Sequence, residues 1–530
     1  LFSCPASPRS PDGFVCGVVE GFYGRPWTFE QRKHLFSRLN RLGLNTYVYA
    51  PKDDLKHRPQ WRIPYNNEET DILKSLIESA KANEITFVYS LSPGIDIVYS
   101  KIEDMICVKS KFDQVRMLGC ESFALLFDDI ECEMNETDRQ CFKSFVAAQV
   151  RLFHLAIFYE YLGRPLFLFC PTEYCESRAV PSLDDSEYLL QLGKELNENI
   201  RVLWTGPRVI SRHITIDHVR SVARVIARKP LIWDNLHAND YDQKRVFMGD
   251  FSGRPVALKK EISGLLMNPN CKYELNFVPL RTFADWNAST QDAPFNENFN
   301  FCGSDPPIFR TYMADSDQIS MLVDMFYLPF ECGRRACELL ERFLWLYENA
   351  LMMNGSKSQI QAEICRVMDI TQGEWLRSIQ MVNGFFKSVV DCPNKPLVSE
   401  IIPYIWDAHG SCSVLLGLAR WMKEGFVTVD HIDKWYPTVP DNIFIQYPAW
   451  LDARLLVDAY DSVPTRKLVQ VAAAALYING CSGMFVTIPI TAGDHVNFFT
   501  RIGFSELGKS IDGQFTMLGH LLSVDEEFRE

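Results

Sequence analysis

The 530-residue sequence contains no apolar run of the roughly 18–20 residues that a membrane-spanning helix needs. It also lacks an excess of positive charge, since 54 Lys and Arg stand against 67 Asp and Glu and give a formal net charge of −13. Nucleic acids and anionic membranes are bound through basic patches. We therefore expect neither a nucleic acid nor a membrane as the main partner.

Several catalytic motifs are missing as well. The ten histidines form no His-x-His or HExxH pattern, and the chain has no GxSxG elbow, no GxGxxG phosphate turn and no CxxC pair. These absences argue against a histidine-bound metal and against a serine nucleophile. The sixteen cysteines, spread from Cys4 to Cys481 without close pairing, favour reduced, buried thiols. A secreted disulfide protein is the alternative.

Residues 15 to about 270 alternate between short apolar runs and amphipathic stretches. The runs predict eight strands at residues 15–21, 46–50, 86–91, 122–127, 166–170, 201–204, 230–233 and 264–267. Helical patterns lie between them near residues 30–42, 70–82, 103–118, 138–161, 186–196, 216–228 and 255–263. Eight β-then-α units of this length predict a TIM barrel, (β/α)8, and a doubly wound open sheet is the alternative.

The rest of the chain changes character. Residues 1–290 are expected to form the barrel domain, and residues 291–315, rich in Asn, Asp, Pro and Gly, a linker. Residues 316–430 are helical in pattern, with breaks near 329–333, 354–356 and 392–396, and predict a helical stalk. Residues 431–530 are mixed, with helices expected at 468–478 and 496–502 and strands at 483–488 and 515–518.

Polar side chains follow the predicted strands at the ends where barrel active sites lie. The pair Asp128 and Asp129 directly follows the apolar run FALLF. Two close carboxylates do not readily ionise together, so the pKa of one should rise, and an acid beside a carboxylate suits glycoside cleavage. From residue types alone, an Asp-Asp turn that caps the next helix and a magnesium site remain open alternatives.

Four other residues at this rim are ambiguous. Lys52 is either a substrate-binding residue or a solvated loop lysine. The aromatic residues Tyr23, Tyr174 and Trp233 are either platforms for a sugar face or ordinary core.

Several segments together resemble the nucleocytoplasmic O-GlcNAcases. They are residues 16–27 (CGVVEGFYGRPW), 49–54 (YAPKDD), 123–130 (FALLFDDI), 169–175 (FCPTEYC), 204–207 (WTGP), 232–235 (IWDN), 240–245 (DYDQKR) and 268–271 (NPNC). The resemblance covers the first 290 residues with the motifs in order. It implies an enzyme that removes N-acetylglucosamine from Ser and Thr of proteins in the cytoplasm and nucleus.

The resemblance also implies a mechanism, substrate-assisted retention through an oxazoline intermediate, without a metal or cofactor. Asp128 would orient the substrate acetamido N–H, and Asp129 would act as general acid and then base. The remaining site residues follow by role: Gly21, Lys52, Asn235, Asp240 and Asn268 for sugar hydroxyls, Tyr23 for the substrate, Tyr174 and Trp233 for the acetamido pocket, and Tyr241 and Trp345 for peptide contact.

Residues 324–329 (DMFYLP) and 343–346 (FLWL) resemble the stalk of that family, which implies a homodimer. Residues 495–504 (HVNFFTRIGF) resemble the end of its acetyltransferase-like domain. The tail is too short for a whole acetyltransferase, and residues 461–465 (DSVPT) lack a Gly-rich cradle, so we expect no acetyl-coenzyme A chemistry. Hydrolysis of a free polysaccharide and non-enzymatic sugar binding are the rival functions.

Overall fold

Eight parallel strands close into a barrel in the computed structural model of the protein. The structure describes residues 13–130, 133–152, 156–242, 244–292, 316–350, 358–390, 392–423, 449–451, 469, 483–489, 493–509 and 515–521. The barrel strands are β1 (Val15–Glu20), β2 (Thr46–Tyr49), β3 (Thr86–Leu91), β4 (Ser122–Leu126), β5 (Leu166–Cys170), β6 (Arg201–Trp204), β7 (Leu231–Asp234) and β8 (Gly264–Met267). Strands β1 and β8 pair in parallel register, so the ring has no open edge. The predicted TIM barrel is confirmed, and the open-sheet alternative is wrong.

The strand side chains alternate between two apolar cores. One core takes every second residue, such as Val19, Ala50, Leu126 and Leu266, and fills the barrel interior. The other takes the residues between them and packs them against the surrounding helices. Because both faces of each strand are buried, the strands are continuous apolar runs without polar alternation.

The helices around the barrel are α1 (Phe29–Arg41), α2 (Asn67–Ala82), α3 (Ile102–Met117), α4 (Glu136–Cys141), α5 (Phe145–Leu152), α6 (Ala156–Tyr161), α7 (Glu187–Glu195), α8 (Ile216–Val225) and α9 (Phe277–Ala288). At the start of α1 the Thr28 side chain accepts from the backbone of Gln31, and the Gln31 side chain accepts from the backbone of Thr28. This reciprocal capping box satisfies two backbone N–H groups at the start of the helix.

Two predicted helices are wrong in extent. The stretch 138–161 is interrupted between α4 and α5, because Phe142 is extended after α4 and the Ser144 hydroxyl then accepts from the backbone N–H of Ala147. Residues 153–155, between α5 and α6, lie outside the described residues. The stretch 255–263 contains only a short 3-10 helix, Val256–Lys260. There the Lys259 ammonium binds the carbonyls of Trp286, Asn287 and Ser289 at the end of α9.

Four helices follow the barrel: α10 (Ser316–Met325), α11 (Arg334–Ala350), α12 (Ser358–Val390) and α13 (Lys395–Lys423). The breaks expected near 329–333 and 392–396 are present, whereas 354–356 and most of the predicted linker, from residue 293 on, lie outside the described residues. One compact unit of the chain comprises residues 1–341 and 374–414. Within it, Met321, Val382 and Ile405 share a core with Val246 and Met248 from a barrel loop.

A second compact unit comprises residues 342–373 and 415–530. Its described part contains β9 (Ala449–Leu451), β10 (Gly483–Pro489), α14 (Gly493–Arg501), β11 (Ser505–Lys509) and β12 (Phe515–Leu521), with the strands in the order β11-β12-β10-β9. The two late strands and the short helix agree with the sequence. The predicted helix 468–478 lies outside the described residues except for Val469. The likeness to an acetyltransferase and the four-part domain scheme stay predictions.

Candidate active site

A cavity of about 290 Å³ opens at the carboxyl ends of the barrel strands. Its lining includes eleven of the twelve residues that the sequence singled out: Gly21, Tyr23, Lys52, Asp128, Asp129, Tyr174, Trp233, Asn235, Asp240, Tyr241 and Asn268. The twelfth, Trp345, lies on α11 in the second compact unit. The structure therefore brings the barrel candidates into one site, while the peptide-contact role of Trp345 stays a prediction.

Strand alternation explains how four of these residues reach the cavity. Four cavity residues each lie two positions beyond an interior residue that stands at the end of a strand or directly after it. They are Gly21 after Val19, Lys52 after Ala50, Asp128 after Leu126 and Asn268 after Leu266. They continue the interior row past the strand end, and so they form the cavity floor.

Asp129 reaches the same cavity by a different route. By alternation its side chain should leave the barrel interior, but its φ of 52° lies in the left-handed region. This conformation costs an ordinary residue about 1–2 kcal/mol and is tolerated best by Gly, Asn and Asp. The turn directs the second carboxylate of the pair back toward the cavity. Neither aspartate caps the next helix, since Asn135 caps α4, so the capping-turn alternative is wrong.

Lys52 and Asp128 form a buried ion pair at the floor, with the lysine ammonium on Asp128 Oδ2. Burial raises the pKa of the Asp128 carboxyl, but the charge and hydrogen bond of Lys52 outweigh it, and the pKa lies below its ordinary value. The other oxygen, Oδ1, is buried and has no hydrogen-bond partner among the described residues. Asp128 is therefore an ionised acceptor with one oxygen still to be satisfied.

Asp129 has a different environment, and hydrogen-bond donors surround it. The Tyr174 hydroxyl donates to Oδ1 at 2.7 Å, and the Tyr23 hydroxyl donates to Oδ2 at 3.1 Å. The Arg178 guanidinium also donates to Oδ1 at 3.2 Å, and Arg58 donates to the Asp129 backbone carbonyl at 3.3 Å. The Asp129 side chain remains about one-third exposed, so it sits at the open side of the cavity.

Another wall of the cavity is formed by a hydrogen-bonded network around two asparagine side chains. Asn235 Oδ1 accepts from the Trp233 indole N–H and from the Asn268 side chain, both at 2.9 Å, and Asn268 Oδ1 accepts from the backbone N–H of Gly21 at 3.3 Å. A Cβ on Gly21 would lie 2.2 Å from the Trp233 indole. Only glycine fits there, and this contact fixes the indole as a wall of the cavity.

Asp240 and Tyr241 stand at the mouth. Asp240 Oδ2 accepts from the backbone N–H of Tyr23 at 2.7 Å, and burial raises the pKa of its carboxyl. Tyr241 is half exposed and stacks on Phe247, with ring centroids 6.2 Å apart. Asp240 therefore joins the β7 loop to the β1 loop, and Tyr241 presents a partly exposed aromatic face at the mouth of the cavity.

Other polar residues that follow the strands form hydrogen bonds that hold the loops. Asp54 accepts from the Tyr49 hydroxyl, Glu173 accepts from Ser186, and a ring nitrogen of His237 lies 2.9 Å from the Gly249 carbonyl oxygen. Asp53 accepts from the backbone N–H of Gly24. Among the described residues, no group of three or more His, Cys, Asp or Glu side chains is arranged to hold a metal ion, so the magnesium alternative has no geometric support there.

Arg178 and Arg58 are site residues that were not predicted from the sequence. Arg178 ends a short 3-10 helix, Glu176–Arg178, and its guanidinium lies over the Tyr174 ring at 4.7 Å. Neither residue belongs to a motif, and the contacts with Asp129 come from separate loops. No signal in the sequence alone could have identified them.

A wider cavity of about 410 Å³ lies elsewhere, at residues 213–216, 253–255 and Asp292. The guanidinium that lines it, that of Arg254, is already bound by Asp234 and by the carbonyls of Arg212, Ser252 and Ser211. Its described lining offers one carboxylate, Asp292, rather than a pair in contrasting surroundings, so the cavity at Asp128 and Asp129 is the candidate active site.

The part of the chain that the structure describes contains no helix long and apolar enough to cross a membrane. Eleven cysteines whose side chains are described there, among them the cavity residue Cys170, form no disulfide bond.

Comparisons with known proteins bear on the family and the fold of the chain. The family described as beta-N-acetylglucosaminidase matches residues 16–301, more than half of the chain. Proteins named Protein O-GlcNAcase from Rattus norvegicus and Mus musculus are each 51% identical over 280 residues, which is 53% of this chain and 30% of theirs. The chain thus matches less than a third of the length of these relatives.

A solved structure, that of a mutant of Thermobaculum terrenum O-GlcNAc hydrolase, resembles the protein over 93% of this chain and 94% of its own. The TM-score is 0.65 at 23% sequence identity, so this likeness bears on the fold alone.

Proposed function

Because the chain belongs to the beta-N-acetylglucosaminidase family, we propose that it is a retaining exo-β-N-acetylglucosaminidase that removes O-linked N-acetylglucosamine from Ser and Thr of proteins. The protein substrate is suggested by the relatives named Protein O-GlcNAcase. The cytoplasm and nucleus as its location are part of the same proposal.

The unsatisfied oxygen of Asp128 is the observation that carries the mechanism. A buried, ionised carboxylate oxygen without a donor is costly, and a substrate N–H placed against it would remove that cost. The 2-acetamido group of N-acetylglucosamine carries such an N–H. Lys52 supports this role, because it holds the other oxygen and keeps the carboxyl ionised.

The first chemical step then breaks the bond between C1 and the leaving oxygen. The acetamido carbonyl oxygen attacks C1 as Asp128 polarises the N–H and accepts its proton, and a neutral oxazoline forms. The proton returns from Asp128 to the nitrogen when water breaks the bond between C1 and the oxazoline oxygen. Asp129, the carboxyl group at the open side, gives its proton to the leaving oxygen. In the second step Asp129 takes a proton from water, which attacks C1 from the face that the leaving group vacated, so the configuration is retained.

The remaining lining residues would hold the sugar. A cavity of about 290 Å³ suits one terminal sugar ring better than an internal residue of a polymer. Its hydroxyls would be bound by the side chains of Lys52, Asn235, Asp240 and Asn268, together with Gly21. The Trp233 indole and the Tyr174 ring would enclose the acetamido group.

The two aspartates can be told apart with leaving groups of different acidity. Asp129→Asn should lose about 10²–10⁴-fold in kcat/KM on an alkyl N-acetylglucosaminide, but far less on a dinitrophenyl glycoside, whose leaving group needs no proton. Asp128→Asn should be slow on both. Asp285→Asn, which removes an exposed carboxylate paired with Arg281, is the control. Equal losses of Asp129→Asn on both substrates would refute its role as the acid.

The substrate class is tested separately. Wild-type protein should release N-acetylglucosamine from a glycosylated peptide, and a thiazoline mimic of the oxazoline should inhibit. Faster turnover of chitin or hyaluronan oligosaccharides than of glycopeptides would instead favour a polysaccharide hydrolase.

We further propose that the helical region 316–430 forms a homodimer. Sedimentation equilibrium of the full chain should then give twice the 61.0 kDa chain mass.

A further inference from the structure

We propose that Arg178 makes the enzyme prefer glycopeptides with an anionic side chain, a carboxylate or a phosphate, one or two residues from the glycosylated Ser or Thr. This inference rests on the proposed hydrolysis of protein substrates and adds a preference among them.

Arg178 is fixed in place but not enclosed. Its guanidinium donates to Asp129 Oδ1 at 3.2 Å and stacks on the Tyr174 ring at 4.7 Å, and the Tyr174 hydroxyl donates to the same Oδ1. The Arg178 side chain is still 40% exposed. A guanidinium has five N–H donors in a fixed plane, so contact with one carboxylate oxygen leaves donors for a second anion.

The position of Asp129 places Arg178 beside the departing peptide. A general acid must come within about 2.6–3.2 Å of the leaving oxygen. Since Arg178 contacts the same carboxylate, its guanidinium lies within roughly two residue lengths of extended chain from the glycosylated side chain. An anion on a neighbouring residue of the peptide is therefore within reach.

A second guanidinium strengthens the positive side of the mouth. Arg58 contacts the Asp129 carbonyl, lies over the Tyr23 ring at 5.7 Å and is only 6% exposed. Its Nη1 atom is buried and has no partner among the described residues. The anionic groups nearby already have local contacts: Lys52 binds Asp128, and Asp240 accepts from the Tyr23 backbone.

An uncharged peptide would leave Arg178 paired with Asp129 alone. An acidic peptide would bridge to Arg178 without displacing the Tyr174 and Tyr23 hydroxyls. Because the guanidinium is partly exposed, the gain should be that of a solvent-screened pair. We expect about a threefold to fivefold preference in kcat/KM at low salt, and less at high salt.

The test uses pairs of glycopeptides that differ only in Asp against Asn, or phosphoserine against serine, next to the glycosylated Ser. The quantity measured is the ratio of kcat/KM within each pair. The ratio cancels any effect of a substitution on the acid itself. We expect about three to five for the wild type, about one for Arg178→Gln and an intermediate value for Arg178→Lys.

Arg220→Gln is the matched control, since Arg220 is also an exposed arginine paired with a carboxylate, Glu261 at 2.8 Å, and it lies on α8. It should keep the wild-type ratio. A wild-type ratio near one, or the same ratio in Arg178→Gln, would overturn the inference. Failure to cleave any glycopeptide, with aryl glycoside turnover intact, would remove the proposed protein substrate and this preference with it.

Discussion

Replacing Lys52 by methionine tests the central electrostatic feature of the site. The lysine side chain is 2% exposed and that of Asp128 is 9% exposed, so methionine keeps most of the packing volume and removes only the charge. Breaking a buried ion pair by removing one partner costs about 3–5 kcal/mol, because the other charge is left uncompensated. We expect a loss of stability of that order at neutral pH.

The effect must depend on pH with a defined sign. In the wild type the pKa of Asp128 is below its ordinary value, so the stability from this group is present above the unfolded pKa and is lost as pH falls through the folded pKa. Without Lys52, burial is opposed only by the charge of Arg58 and a backbone hydrogen bond, so the pKa of the carboxyl should rise. The difference in stability between the two proteins should therefore be small near pH 4 and grow toward pH 7.

Activity should follow the same shift, since Asp128 must be ionised to accept the acetamido N–H. The acidic limb of kcat/KM for an aryl N-acetylglucosaminide should move to higher pH in Lys52→Met. A double-mutant cycle of Lys52→Met, Asp128→Asn and the double variant, followed by thermal unfolding and by pH profiles of activity, measures the coupling between the two residues. Lys109→Met, which loses an exposed ion pair with Asp113, is the control. An unmoved acidic limb together with a coupling energy below about 0.5 kcal/mol would refute the reasoning.

Two further predictions concern packing and acid stability. Gly21→Ala should destabilise the protein by about 1–3 kcal/mol and strongly reduce turnover, because the new methyl group would overlap the Trp233 indole. The control Gly410→Ala, inside α13 and with nothing within 4 Å of the new methyl group, should stabilise the protein slightly. Thermal melts and the aryl glycoside assay measure both effects, and a tolerated Gly21→Ala would contradict the close contact. Burial lowers the pKa of both His57 and His237 to about 4, so their stability contribution is present above pH 6.5 and is lost as pH falls toward 4, with a slope of about 2.7 kcal/mol per pH unit. His237→Gln should halve this slope in melts between pH 4.5 and 6, and an unchanged slope would refute the assignment.

The barrel was predictable because its strands and helices follow simple patterns. Strands buried on both faces must be apolar throughout, and the eight predicted runs agree with the observed strands to within about one residue. The division of 138–161 was missed because it depends on local hydrogen bonds. Its apolar residues continue at helical spacing across the break, but Asn135 and Ser144 each start a new helix with a side-chain cap.

The candidate site was predictable only in part. The positions of the residues on the cavity floor follow from strand parity, and the motifs contain seven further lining residues that the sequence singled out. Val209, Ile210 and Ala238 also line the cavity and belong to no motif. The surroundings of each carboxylate could not be deduced, because Lys52 comes from the loop after β2, whereas Tyr174 and Arg178 come from the loop after β5, and their contacts depend on tertiary structure. The sequence led us to expect that repulsion between the two aspartates would raise one pKa. For Asp128 the opposite holds, because Lys52 lowers its pKa.

The order of the two aspartates therefore accounts for the roles that we propose for them. Strand alternation directs the first residue after Phe127 into the barrel, where Asp128 is buried and paired with Lys52. Asp128 is therefore suited to act as a fixed, ionised hydrogen-bond acceptor. The second residue reaches the cavity only through a left-handed turn, which leaves it at the open side among hydroxyl and guanidinium donors. A proton must be exchanged with the leaving group and with water, and only Asp129 is exposed enough to do both. Two identical side chains acquire different chemistry because one follows the strand and the other departs from it.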